Sequence, residues 1–182
     1  MVADRLGDPT PRLAGRLTLN PISHIDPLGA LALVLAGFGW AKPVPVNAGN
    51  LRVPGRDMTL VAVAGPLANF ATAFAALVAF VLARRAMGRS DVADTIGTVL
   101  VLVFELNVAL GIFNLIPLPP LDGAHLLRWL VPPRHAGILA VLDQYGPVLL
   151  LVLVISGATR HVIGPAFDAV VGLYVALVRL IL

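Results

Sequence analysis

The stretch FNLIPLPPLDGAHLLRWLVP, residues 113 to 132, sets a carboxamide and a carboxylate between two apolar runs that could each be membrane helix. An ionisable side chain at bilayer depth is expensive and marks a functional position whose partner has to be found. Asn114 and Asp122 lie eight residues apart, close to two helical turns, so a regular helix would place both on one side. The helix cannot be regular, because Pro117, Pro119 and Pro120 remove backbone donors and push their predecessors toward extended geometry. Carbonyls freed in this way are tolerated at membrane depth only against protein or a water-filled cavity. A wet cavity holding a carboxylate is an active-site arrangement. The competing reading is a structural kink in which Asp122 caps the helix GAHLLRWLV, a role Asp favours; the residues alone leave the two readings level.

Other candidates carry less. Glu105, in the middle of an apolar run, is a rival intramembrane carboxylate, while Asp94 and Asn107 fit interfaces or inter-helix contacts. GPLANF, residues 65 to 70, places Gly65, Ala68 and Asn69 inside a span, and close helix packing is the simpler reading of such small residues. His24, His135 and His161 fall in polar connections. His125 stands three residues after Asp122, so a helix would bring both to one face, but a lone His–Asp pair is short of the three protein ligands typical of catalytic zinc. With no cysteine in the chain, disulfides, thiol catalysis and thiolate ligation are excluded. Any metal must be held by His, Asp or Glu.

The elements that would position these groups are membrane helices. Of 182 residues 58% are hydrophobic and 13% charged, against about 25% charged in a soluble domain, so the expected fold is an all-α polytopic membrane protein. No linker composition divides it, which predicts a single membrane-embedded domain over residues 1–182. The net charge of +3 comes from thirteen Lys and Arg scattered at the ends of apolar runs, a pattern of interface anchoring rather than nucleic-acid binding. Met58 to Ala83 is 26 uncharged residues, which predicts a span, and Val92–Leu118, Ile138–Ser156 and Val162–Leu182 supply three more. The apolar stretch from Leu28 is only 13 or so residues long, short of the ~20 a crossing needs, and is read as re-entrant or tilted. PRLAGRLTLNP, from Pro11, is expected to form a short surface hairpin or edge strand, and the proline-broken LDG helix completes the count of four to five transmembrane or re-entrant helices.

Charge does not settle orientation. Leaving aside Arg179 near the C-terminus, if residues 28 to 41 cross, seven positives face five; if they re-enter, eight face four in the opposite sense. The first residues lack the apolar core and cleavage pattern of a signal peptide. VADRLGD reads instead as the last turn of a helix, stopped at Gly7 and Pro9.

NPISHIDPLG, GWAKPVPVN, AGPLANF and FNLIPLPPLDG, in this order, resemble the bacterial and archaeal branch of the site-2 proteases, intramembrane zinc metalloproteases. The resemblance covers residues 1 to about 132, with 133–182 as C-terminal transmembrane helices. It implies hydrolysis of peptide bonds in or near transmembrane segments, a transmembrane protein substrate within a lipid bilayer, and a place in a prokaryotic cell membrane. It also implies that Asp122 is the third zinc ligand and that Asn114 helps bind substrate or steady the oxyanion. Members of that family carry HExxH on the helix just before the position of LGDPT, supplying two His ligands and a Glu base, and this sequence contains no HExxH. The expectation is therefore an incomplete, inactive form that binds no zinc stably, with a start placed too late favoured over true degeneration. The alternatives are a non-enzymatic scaffold or binder of transmembrane segments and, with less behind it, an ion pathway through Glu105 and Asp122.

Overall fold

The computed structural model describes every residue except Met1, Gly37, Phe38, Arg89 and Leu182. The described residues are helical, with no strand beyond one isolated bridge, as expected of an all-α membrane protein. They fall into two compact units, Met1–Val61 and Ala62–Leu182.

The first unit holds three short helices, Val2–Arg5 (α1), Thr10–Leu13 (α2) and Pro27–Ala36 (α3), and the first turns of a long fourth. Its organising group is Asp8, whose fully buried carboxylate is tied across some forty residues of sequence. Asp8 Oδ1 accepts from the Thr10 amide at 3.0 Å, the Thr10 hydroxyl and the Asn50 amide at 2.9 Å, and Oδ2 accepts from the Asn47 backbone at 2.8 Å. Gly7, at φ +112°, lets the chain pass so close to this loop that a Cβ there would sit 2.9 Å from the Asn50 carbonyl. The hairpin expected from Pro11 onward does not form. Pro11 lies inside the helical turn α2 instead, Gly15 follows it at φ +66°, and Asn20 caps a 3-10 turn over Pro21–His24 by accepting from the Ile22 N–H. Local side-chain bonds win over a ladder here.

α3 is ten residues, about 15 Å at 1.5 Å per residue, half of a ~30 Å hydrocarbon core. Its ends return to one place: Ile25 bridges Ala41, and the Lys42 N–H donates to the His24 carbonyl at 2.9 Å. The segment therefore doubles back on itself.

The second unit is built on four helices long and apolar enough to cross a membrane. These are Pro54–Met87 (α4), Asp91–Asn114 (α5), Ala136–Ile155 (α7) and Thr159–Ile181 (α8), with the short Gly123–Leu130 (α6) after the proline segment. The turn between α4 and α5 is coded locally: Gly88 leaves α4 at φ +61°, Ser90 accepts from the Ala93 N–H, and Arg84 pairs with Asp94. α4 and α5 approach closely at Gly111, where a Cβ would be 2.8 Å from the Phe70 ring. Ala73, Ala76, Phe104, Val108 and Ile112 form the buried core between them, and α8 closes it with Phe167, Val170 and Tyr174. A phenol in so apolar a place needs a partner, and the Tyr174 hydroxyl donates to the Phe70 carbonyl at 3.0 Å. A second cluster joins Leu118 and Leu121 of the proline segment to Leu142, Leu150, Leu153 and Val154 of α7.

Candidate active site

The proline segment runs from Leu115 to Asp122 as a series of turns, with the Pro119–Pro120 peptide cis. It ends at Gly123 for a steric reason. A Cβ on residue 123 would lie 2.3 Å from the Leu115 carbonyl and 2.5 Å from that of Ile116, so only glycine lets α6 start where the segment doubles back. Asp122 precedes it with helical backbone angles, φ −59° and ψ −34°, and its side chain makes no capping hydrogen bond. The cap reading of this residue is not realised. The half-buried carboxylate instead reaches α4, where a Cβ built on Gly65 would stand 3.1 Å from Asp122 Oδ2. Gly65 leaves room for an acid on the face of a membrane helix, and Pro66 beside it removes the backbone N–H that would bond the carbonyl of residue 62.

Asn114 closes α5, partly buried, and donates from Nδ2 to the Leu110 carbonyl at 3.0 Å. A carboxamide has two N–H donors, so one remains free for another acceptor. Asn69, also partly buried, lies one helical turn beyond Gly65 on α4.

The remaining polar groups have structural partners or open surroundings. Glu105 is exposed on α5 and has no ion pair among the described residues, Asp94 pairs with Arg84, and Asn107 bonds the Val103 carbonyl at 2.8 Å. His24 meets the Thr18 carbonyl at 3.0 Å, and Asp26 caps α3 by accepting from the Leu28 and Gly29 amides at 2.9 Å. His125 faces Arg128, whose guanidinium lies 3.3 Å from its Nδ1 and pairs on its other side with Asp143 of α7. Burial and the Arg128 charge both hold the His125 imidazole below its ordinary pKa. A guanidinium only donates, so the contact occupies the Nδ1 lone pair. That nitrogen is then not free for a metal.

Among the described residues no three His, Cys, Asp or Glu side chains come together to hold an ion. Asp122 by itself would be one ligand of the three a catalytic zinc takes from protein.

Comparison with known proteins gives this arrangement its context. Residues 85–153 match peptidase family M50. The chain is 39% identical over 171 residues to "Putative zinc metalloprotease YwhC" of Bacillus subtilis, covering 92% of this chain and 78% of that protein. This chain belongs to peptidase family M50, the site-2 proteases. It is also 32% and 33% identical to the proteins named "Putative zinc metalloprotease Rip2" of Mycolicibacterium smegmatis and Mycobacterium tuberculosis, spanning 60% and 58% of their lengths. No solved structure matches. With its four apolar helices, the chain is a membrane protein of the M50 family.

Two parts of this geometry are not visible as function in the sequence. Gly65 reads there as helix packing, and its use as a seat for a carboxylate needs the fold. Asp8 has a local signal, an Asp two residues before Thr in GDPT, but nothing local announces Asn47 and Asn50 as its partners.

Proposed function

We propose that the chain serves a site-2-type zinc metallopeptidase that hydrolyses peptide bonds in or near transmembrane segments of a protein substrate, within a prokaryotic cell membrane. In this reading Asp122 is one zinc ligand, and Asn114 offers its free amide N–H to substrate or to the oxyanion of a tetrahedral intermediate. What supports it most is the placement of the Asp122 carboxylate. It neither caps α6 nor has a hydrogen-bond partner there, and it lies over a helix position kept bare by glycine. A half-buried acid left uncompensated costs stability, and metal ligation is the compensation that family membership supplies.

The alternative reading needs no metal. On that reading the 182 residues alone form a membrane module that binds transmembrane segments without cleaving them. One experiment separates the two. The chain as written is expected to carry zinc well below one equivalent and to cleave no transmembrane peptide. A version with HExxH supplied on a helix ahead of residue 2 is expected to bind about one zinc and to gain chelator-sensitive cleavage. In that version Asp122→Asn abolishes most of the activity, and His125→Ala changes it little. Cleavage that persists with Asp122→Asn removes the ligand role, and zinc-dependent cleavage by the unextended chain removes the need for HExxH.

A further inference from the structure

We propose that α7 is the positioning element for Asp122, with a notch at Gly146 that seats Pro119 and so sets where the carboxylate meets α4. The inference deepens the peptidase reading and rests on Asp122 being the functional carboxylate.

Glycine in the middle of α7 is a poor choice for a helix, where Ala would be the better former. What approaches it explains the choice. A Cβ on residue 146 would lie 2.9 Å from the Pro119 carbonyl oxygen, 3.0 Å from its Cδ and 3.1 Å from its Cβ. These are backbone and ring atoms, which cannot swing aside as the end of a flexible side chain can. Leu142 and Leu150, one turn to either side of Gly146 on the same face, pack with Leu118 and Leu121 around this seat. Beyond Asp122 the same helix takes hold again, through the Arg128–Asp143 ion pair. Asp122 therefore stands three residues after one attachment to α7 and six before another, with its carboxylate against Gly65 of α4. Two glycines on different helices fix it: the one on α7 sets the depth of the segment, and the one on α4 receives the acid.

A side chain at Gly146 would push Pro119 off α7 by a few tenths of an ångström, and the displacement would pass along three residues to Asp122. A glycine serving packing alone would lower thermal stability without moving Asp122 relative to Gly65 in the folded protein.

The chain has no cysteine, so a Gly65→Cys/Asp122→Cys pair reports this geometry by itself. With the residue-65 Cβ 3.1 Å from Asp122 Oδ2, the two thiols are within reach of a disulfide. In the full chain in membranes, copper-phenanthroline oxidation is expected to form the intramolecular disulfide, read by peptide mass spectrometry. Gly146→Ala is expected to slow it about tenfold, the scale of loss that a sub-ångström displacement brings where reacting atoms must meet. Gly146→Leu is expected to abolish it. Gly137→Ala, on the same helix with nothing within 4 Å of its Cβ, is expected to leave the rate unchanged. Asp143→Asn, which loosens the second attachment without a clash, is expected to slow it by less and decides the matter if the Gly146 variants do not fold. Equal rates in the native, Gly146→Ala and Asp143→Asn backgrounds overturn the inference. So does a slowing by Gly137→Ala equal to that by Gly146→Ala. Neither zinc nor proteolysis enters this assay, so failure of the peptidase reading and failure of the positioning role are separate results.

Discussion

Gly65→Ala tests the seat of the carboxylate with a single methyl group. Two opposing effects act on stability. Alanine in place of a mid-helix glycine gains about 0.5–1 kcal/mol. The new Cβ, 3.1 Å from Asp122 Oδ2, forces the carboxylate to retreat by a few tenths of an ångström or to rotate off its rotamer, at about 0.5–1.5 kcal/mol. The two nearly cancel, so the thermal midpoint should hardly move. Ligation does not cancel, because shifting the surroundings of a metal ligand typically costs about 10–100-fold in affinity or activity. In the version carrying HExxH, Gly65→Ala should therefore lower zinc affinity and chelator-sensitive cleavage by about one to two orders of magnitude with the melting curve in place. Gly172→Ala, on α8 with open space around its Cβ, should keep full activity. If Gly65→Ala and Gly65→Leu both bind zinc and cleave as the native protein does, Asp122 does not work from its position over α4, and the assignment of the site fails at its geometric root.

Three more outcomes are expected. Burial acts to raise the Asp8 pKa, but hydrogen bonds from Thr10, Asn50 and Asn47 outweigh it and hold the carboxyl at about 2 against an ordinary 3.8. Its stabilisation is thus complete above pH 4 and lost as pH falls from 3.8 toward 2, so Asp8→Asn should flatten acid unfolding of the first unit across that window, as followed by circular dichroism. Counting only the four candidate spans, Arg52, Arg56, Arg128, Arg134 and Arg179 share one side, against Arg84, Arg85 and Arg160. Reporter fusions after Arg134 should be cytoplasmic and those after Arg160 external; the reverse would mean that these charges do not set the orientation. Tyr174→Phe removes one hydrogen bond to the Phe70 carbonyl and should destabilise the bundle by about 1 kcal/mol in reversible detergent unfolding, with no change at all if α8 is held by its apolar contacts alone.

The long helices and the proline break were legible because composition announces them. Twenty-six uncharged residues from Met58 can hardly be anything but a span, and three prolines within four residues after Ile116 cannot continue α5. The doubling back around α3 was not legible, since its length fitted either a dip or a tilted crossing; the Ile25–Ala41 bridge that brings its flanks together is a long-range contact with no local signature. The false hairpin has the opposite origin. Leu13, Leu17 and Leu19 alternate as a strand would, yet stay exposed, and in a protein beside lipid exposed leucines carry no information about which backbone they ride on.

Asp122 shows where reading from sequence stops. Its type, its neighbours and its spacing to Asn114 were all on the page, and they supported a helix cap as well as a ligand. What separates the two readings is the direction of the carboxylate, which is set by residues far from it in the chain: Gly65, fifty-seven positions earlier, and Gly146, twenty-four later. Both are glycines, and a glycine in a membrane helix signals only that something comes close. Which backbone approaches it, and what functional group that approach delivers, is a property of packing among three helices. The chemistry of this site is written in its polar residues, whereas its geometry is set by the side chains that two glycines lack, so substitutions at Gly65 and Gly146 should disable the site while leaving every recognisable motif residue except those glycines in place.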